Sequence, residues 1–106
     1  MAEPAVLKLR AHQAERIIHR LARDSSNVIL TTHAKDRMEE RGIVRADLDR
    51  ILRSGSVVGP PFRNERGDWQ CTIVLRLIGT RDAGAVTVIA KRDRLIIRTV
   101  EWEDWR

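Results

Sequence analysis

Apolar residues recur along the start of the chain at Leu7, Ala11, Ala14, Ile18 and Leu21, at alternating spacings of four and three, and Val6 and Ile17 widen the stripe. That spacing puts them on one face of a helix. Pro4 suits a first turn, where its missing N–H costs nothing. Asp24-Ser25-Ser26-Asn27 breaks the pattern. The spacing therefore predicts a helix from about residue 4 to about residue 23, with Arg10, Arg16, Arg20 and Arg23 on its other side. The stripe is rich in alanine. It reads as a core helix; the alternative is a docking helix that lifts away or pairs with another chain.

Val28-Ile29-Leu30-Thr31 is a short β-branched run that predicts a short strand or an extended lead-in. Thr31 or Thr32 can cap a following helix, because a hydroxyl accepts from an orphan backbone N–H. Gly42 can end it in the left-handed conformation. Ala34 and Met38 mark its inner side, and Ile43 packs inward after the stop. Residues from about 45 to 53 predict another helix with Leu48, Ile51 and Leu52 buried. Asp47 and Asp49 suit its first turns, where the helix dipole favours negative charge. Val44 stands where a polar cap is expected, a deficit of about 1 kcal/mol. Ser54-Gly55 ends this helix.

The period then changes. Val57-Val58 precede Gly59-Pro60-Pro61, which is expected to interrupt any ladder. Phe62-Arg63-Asn64-Glu65 predicts a short strand and Arg66-Gly67-Asp68 a turn. From Trp69 to Ile78 the odd positions Trp69, Cys71, Ile73, Leu75 and Leu77 alternate with Gln70, Thr72 and Arg76, the pattern of a half-buried strand. Residues 79–84 predict a loop, Ala85–Lys91 a strand, Arg92-Asp93-Arg94 a turn, and Leu95 to about Trp102 a last strand. The tail 103–106 is expected to fray. Helices that precede a run of strands imply an α+β fold, with the N-terminal helices packed on one face of a twisted antiparallel sheet.

A length of 106 residues fits one domain, 1–106, in which 1–27 form the N-terminal helix and loop and 28–102 the core. Hydrophobic residues at 42% exclude a disordered chain. Of the twenty basic residues seventeen are arginine, and the net charge is +5. Guanidinium groups bind phosphates with a two-pronged fork, so this bias favours a polyanionic partner, with a solvated basic surface as the alternative. The only cysteine, Cys71, excludes an intramolecular disulfide and a multi-cysteine zinc site, and reads as a small buried hydrophobe. Glu15 and His19 stand at i, i+4 but lack a third ligand, so no metal and no cofactor is expected. No apolar run approaches the roughly 20 residues that span a bilayer. With no signal-peptide core at the N-terminus, the expectation is a soluble cytoplasmic protein.

The most site-like grouping is His33, Arg37 and Arg41, at i, i+4 and i+8 on one helix face. The segment His33-Ala34-Lys35-Asp36-Arg37-Met38-Glu39-Glu40-Arg41-Gly42-Ile43, followed by Asp47, Leu48 and Leu52, resembles a bacterial family known as domain of unknown function 4258. The strand ending Ile96-Ile97-Arg98-Thr99-Val100 is similar to that family's closing sheet, and the likeness covers roughly residues 28 to 102. The family in turn looks related to small RelE-like and BrnT-like toxins. That kinship implies a RelE-like fold, an mRNA-cleaving activity and an antitoxin protein as partner. RelE-type sites often use a tyrosine, and this chain has none.

Cleavage of RNA without a metal needs a base, an acid and cations for the phosphorane charge. Histidine suits either proton role. His33 is the candidate acid or base and Glu40 a second proton carrier. Arg37 and Arg41, about 6 and 12 Å along the helix axis from His33, are candidates to hold phosphates. Arg63, Arg98 and Thr99 are candidates to complete the site from the sheet. Two further readings stand beside this one. His33, Arg37 and Arg41 can be structural, with Arg37 paired to Asp36, Glu39 or Glu40 and Arg41 at a helix C-terminus. Or the basic face can bind nucleic acid or a protein without catalysis. Trp69 and Trp102 can stack bases or pack in the core, and Trp69 reads as core; Trp102 and Trp105 are also open to a protein contact.

Overall fold

A computed structural model describes residues 8–103. The chain runs α1 (Ala11–Leu21), a short 3-10 turn (Ser25–Asn27), β1 (Val28–Leu30), α2 (Thr32–Arg41), α3 (Arg45–Ser54), β2 (Ser56–Arg63), β3 (Trp69–Ile78), β4 (Arg81–Ala90), a second such turn (Lys91–Asp93) and β5 (Arg94–Trp102). The fold is α+β, and the strands lie in the order β1-β5-β4-β3-β2. β2 to β5 make an antiparallel meander. β1 joins parallel to β5, with Val28 opposite Leu95 and Leu30 opposite Ile97. The sheet is thus mixed rather than wholly antiparallel. Three residues carry no alternation that could have announced a partner so far along the chain.

One core lies between the helices and one face of the sheet. Ala14 and Ile18 of α1, Ala34 and Met38 of α2, and Leu48, Ile51 and Leu52 of α3 meet Ile73, Ala85, Leu95, Ile97 and Val100. Burial of each large aliphatic side chain contributes about 1.5–3 kcal/mol. Ile43 and Cys71 are buried as expected.

α1 starts later than its apolar stripe suggested. Arg10 is extended (φ −88°, ψ 160°), and its N–H donates to Gln13 Oε1 at 2.8 Å, which closes the helix start from within. Pro4, Val6 and Leu7 lie outside the described residues. α1 is fastened to the edge of β2 by the pair that spacing marked as incomplete metal ligands. Glu15 Oε1 accepts from Val57 N–H at 2.9 Å, and His19 Nε2 donates to Gly55 O at 2.8 Å.

α2 begins where Thr31 Oγ1 accepts from Ala34 N–H at 3.0 Å. The same hydroxyl donates to Ile97 O at 3.1 Å, so one residue caps the helix and ties it to β5. Gly42 ends α2 at φ 71°, and Ile43 N–H returns to Met38 O at 2.9 Å. In α3, Val44 supplies no side-chain cap, but Asp47 Oδ2 accepts from its N–H at 3.1 Å.

β3 spans the expected residues. The loop after it is only Gly79-Thr80, because Gly79 at φ 53° allows a two-residue hairpin and β4 begins at Arg81. The Gly59-Pro60-Pro61 segment does not end the ladder. β2 runs through it as a bulge, from Val58 opposite Thr72 to Phe62 opposite Gln70, and stops at Arg63. Prolines are tolerated there because β2 is an edge strand, and they also block the edge against a foreign strand. At the end of β5 Trp102 packs on the core, and its Nε1 donates to Arg41 O at 2.9 Å. Glu103 N–H donates to Asp82 O at 2.6 Å. The rest of the tail, with Trp105, lies outside the described residues. No helix among the described residues is long and apolar enough to cross a membrane.

Candidate functional site

The residues singled out from sequence fall into two groups. His33, Arg37, Glu40 and Arg41 belong to α2, which runs beside β5. Arg98 lines a groove on the sheet face that carries no helix, and Arg63 stands at its rim, paired with Trp69. Thr99 stands between the groups: it follows Arg98, and its Oγ1 donates to Glu101 Oε2 at 3.0 Å.

Glu101 organises the α2 group. Its carboxylate accepts from Arg41 Nε at 3.1 Å and lies 3.6 Å from Arg37 Nε. Arg37 Nη1 donates to Glu40 Oε1 at 2.8 Å. Two carboxylates therefore face two guanidinium groups. Arg37 Nε itself is buried without a hydrogen bond, since the Glu101 oxygen is beyond bonding length. His33 is exposed, in the first turn of α2. Its face of the helix is the expected one, but Glu40, the intended second proton carrier, is engaged with Arg37.

The groove is built by register. On β3 the odd residues Cys71 and Ile73 face the helices and are buried, so Gln70 and Thr72 face away. Pairing carries that face across the sheet in one row: Phe62 opposite Gln70, Gln70 opposite Val88, Val88 opposite Ile96, Ile96 opposite Ile29. Two irregularities shape it. The Gly-Pro-Pro bulge sets the phase that turns Phe62 outward. On β5 the register steps from Ile97 opposite Thr87 to Thr99 opposite Val86 and leaves Arg98 without a partner. Bulges of this kind re-aim side chains. Here Arg98 Nη1 reaches Gln70 Oε1 at 3.2 Å.

Thr31, Phe62, Arg63, Arg66, Gln70 and Arg98 surround an open space of about 740 Å³, with Val88 and Ile96 as its apolar floor. Arg63 lies over the Trp69 ring at 4.6 Å and donates from Nη1 to Gly67 O at 2.6 Å. The ring holds it there by cation–π attraction. Arg66 is exposed at the hairpin tip, where Asn64 Oδ1 accepts from its backbone N–H at 2.9 Å. Glu65 and Asp68 also line the space. Because Trp69 is in phase with the inward Cys71, the Arg63 guanidinium over its ring lies toward the helix side, which leaves Arg66 and Arg98 facing the two carboxylates. Phe62 is 53% exposed. A large aromatic held open beside cations, over an apolar floor, can stack a flat ring and hold the charge attached to it.

Sequence reasoning found Arg63 and Arg98 but missed Phe62, Arg66 and Gln70. Gln70 was legible as the outward phase of β3. Phe62 was not, because its phase depends on how many residues the bulge absorbs. Trp69 is half-buried under Arg63 rather than in the core, and Trp102 is packed with Arg81 over its ring at 4.1 Å. Among the described residues no three His, Cys, Asp or Glu side chains group to hold a metal ion.

Residues 30–102 match the model of a family described as domain of unknown function (DUF4258). No curated protein and no solved structure matches this chain.

Proposed function

The chain belongs to the DUF4258 family, and from that premise we propose that it binds RNA, through the groove on the helix-free sheet face. The observation that carries this reading is the convergence of Arg66 and Arg98 from two parts of the chain around the exposed Phe62, with Arg63 at the rim. Phosphate contacts from guanidinium groups are strong and orientable. A net charge of +5 adds long-range attraction for a polyanion.

The test is an anisotropy titration of the full chain with a labelled short RNA across a range of salt. Each phosphate neutralised on a single strand contributes about −0.7 to the slope of log affinity against log salt, so two arginines give about −1.4. A slope of zero, or no binding at low salt, defeats the proposal.

A second reading adds cleavage, as in a toxin-type ribonuclease. It is supported by His33, which is exposed in the first turn of α2, two residues beyond Thr31 on the groove wall. Expression in a bacterial host separates the two readings. Growth arrest and RNA breakage that disappear with His33→Ala support cleavage; normal growth with intact RNA leaves binding alone.

A further inference from the structure

We infer that the groove takes an unpaired nucleotide, with its base stacked on Phe62 and its phosphates on Arg66 and Arg98. This rests on the RNA-binding reading above and specifies the strandedness of the ligand and the residue that sets it.

Four observations lead there. Phe62 is 53% exposed, although it is the only phenylalanine in the chain and sits on a strand. A single exposed aromatic needs no explanation by itself. This one stands beside Arg66 and Arg98 and is held in place from two sides. Its cross-strand partner Gln70 is pinned by Arg98 Nη1 at 3.2 Å. Pro61, just before it, is buried and stiffens the backbone. The floor beside it is aliphatic, Val88 and Ile96, and suits the edge of a ring rather than a sugar or phosphate. Finally, the space of about 740 Å³ is a groove open to solvent, within the size range of a small-ligand site. In a duplex the bases are stacked on one another and offer no face to a side chain; in a single strand they do. The arginines alone would bind either form. Phe62 is what makes the site prefer the unpaired one.

The experiment compares labelled oligouridine with a blunt RNA duplex of equal length, using the full chain and its Phe62→Ala and Phe62→Trp variants. Phe62 is exposed, so both variants are expected to fold, which a circular dichroism spectrum checks. The single strand should bind about tenfold or more tighter than the duplex. Phe62→Ala should weaken single-strand binding between about fivefold and a hundredfold, the range expected when one base loses its aromatic partner. Duplex binding should not change, and Phe62→Trp should restore the single strand. If single-strand binding is unchanged in Phe62→Ala, or the duplex binds as tightly, the inference is overturned while RNA binding stands. If neither RNA binds at low salt, the underlying reading falls with it.

Discussion

Arg98 and Gln70 are joined by a hydrogen bond of 3.2 Å between strands that are not neighbours, for β4 lies between β5 and β3. The bond arches over β4. Beneath it Val88 is only 4% exposed, although it lies on the face without helices. The guanidinium and its aliphatic stem therefore do two things. They cover apolar surface that would otherwise meet water, and they place a cation at the groove.

Arg98→Ala should uncover Val88 and release Gln70. A stability loss of about 1 kcal/mol is expected, from one lost hydrogen bond and the exposed apolar area. Urea unfolding followed by tryptophan fluorescence measures it. An unchanged midpoint would show that the arch is not a stable feature in solution.

Gly55 is the tightest glycine in the fold. A Cβ there would lie 2.5 Å from Ile51 O and 2.8 Å from Val74 O, both backbone atoms that cannot move aside. Gly55→Ala should cost on the order of 3 kcal/mol, as overpacking in a rigid site does. It should also loosen α1, since Gly55 O is the acceptor for His19. Gly84→Ala is the control. Its new Cβ would meet the flexible Glu103 side chain rather than backbone, so the cost should be smaller. Thermal melts of the two variants decide the matter, and equal losses would contradict the packing described.

Burial pushes the Cys71 thiol from 9.0 up to about 11. The thiolate is the reactive form, and the side chain is also covered. The native protein should therefore resist a thiol reagent at mildly alkaline pH and react at once in denaturant. The sign of the linkage follows. A thiol whose folded value is raised favours the folded state below the unfolded value and loses that contribution as pH rises toward the folded one. Stability should thus fall between about pH 9 and pH 11, and Cys71→Ala should flatten that part of the profile. Rapid labelling of the native chain would contradict the burial of this strand.

Much of this fold was legible because its signals are local. Thr31 and Gly42 fixed the ends of α2, and the alternation from Trp69 to Ile78 fixed β3 and its inward face. The misses share a physical cause. The start of α1 was set by Gln13 reaching back to Arg10, not by the apolar stripe. β4 began early because Gly79 could take a positive φ. β1 pairs with β5 through a contact that no local pattern encodes. The candidate site divided for the same reason. His33, Arg37 and Arg41 share a face by simple helical spacing, as read. What that face meets, Glu101, comes from the far end of β5. The groove is written in strand register and in two bulges, so Phe62 and Arg98 became neighbours of Gln70 only once the sheet was assembled.

The most direct test of the account compares the salt dependence of RNA binding in the wild type and in Arg66→Ala/Arg98→Ala. With these two arginines as the phosphate contacts, the slope should drop from about −1.4 to near zero, while circular dichroism shows the fold retained. A double variant that keeps both the affinity and the slope of the wild type would contradict the groove as the site of RNA binding.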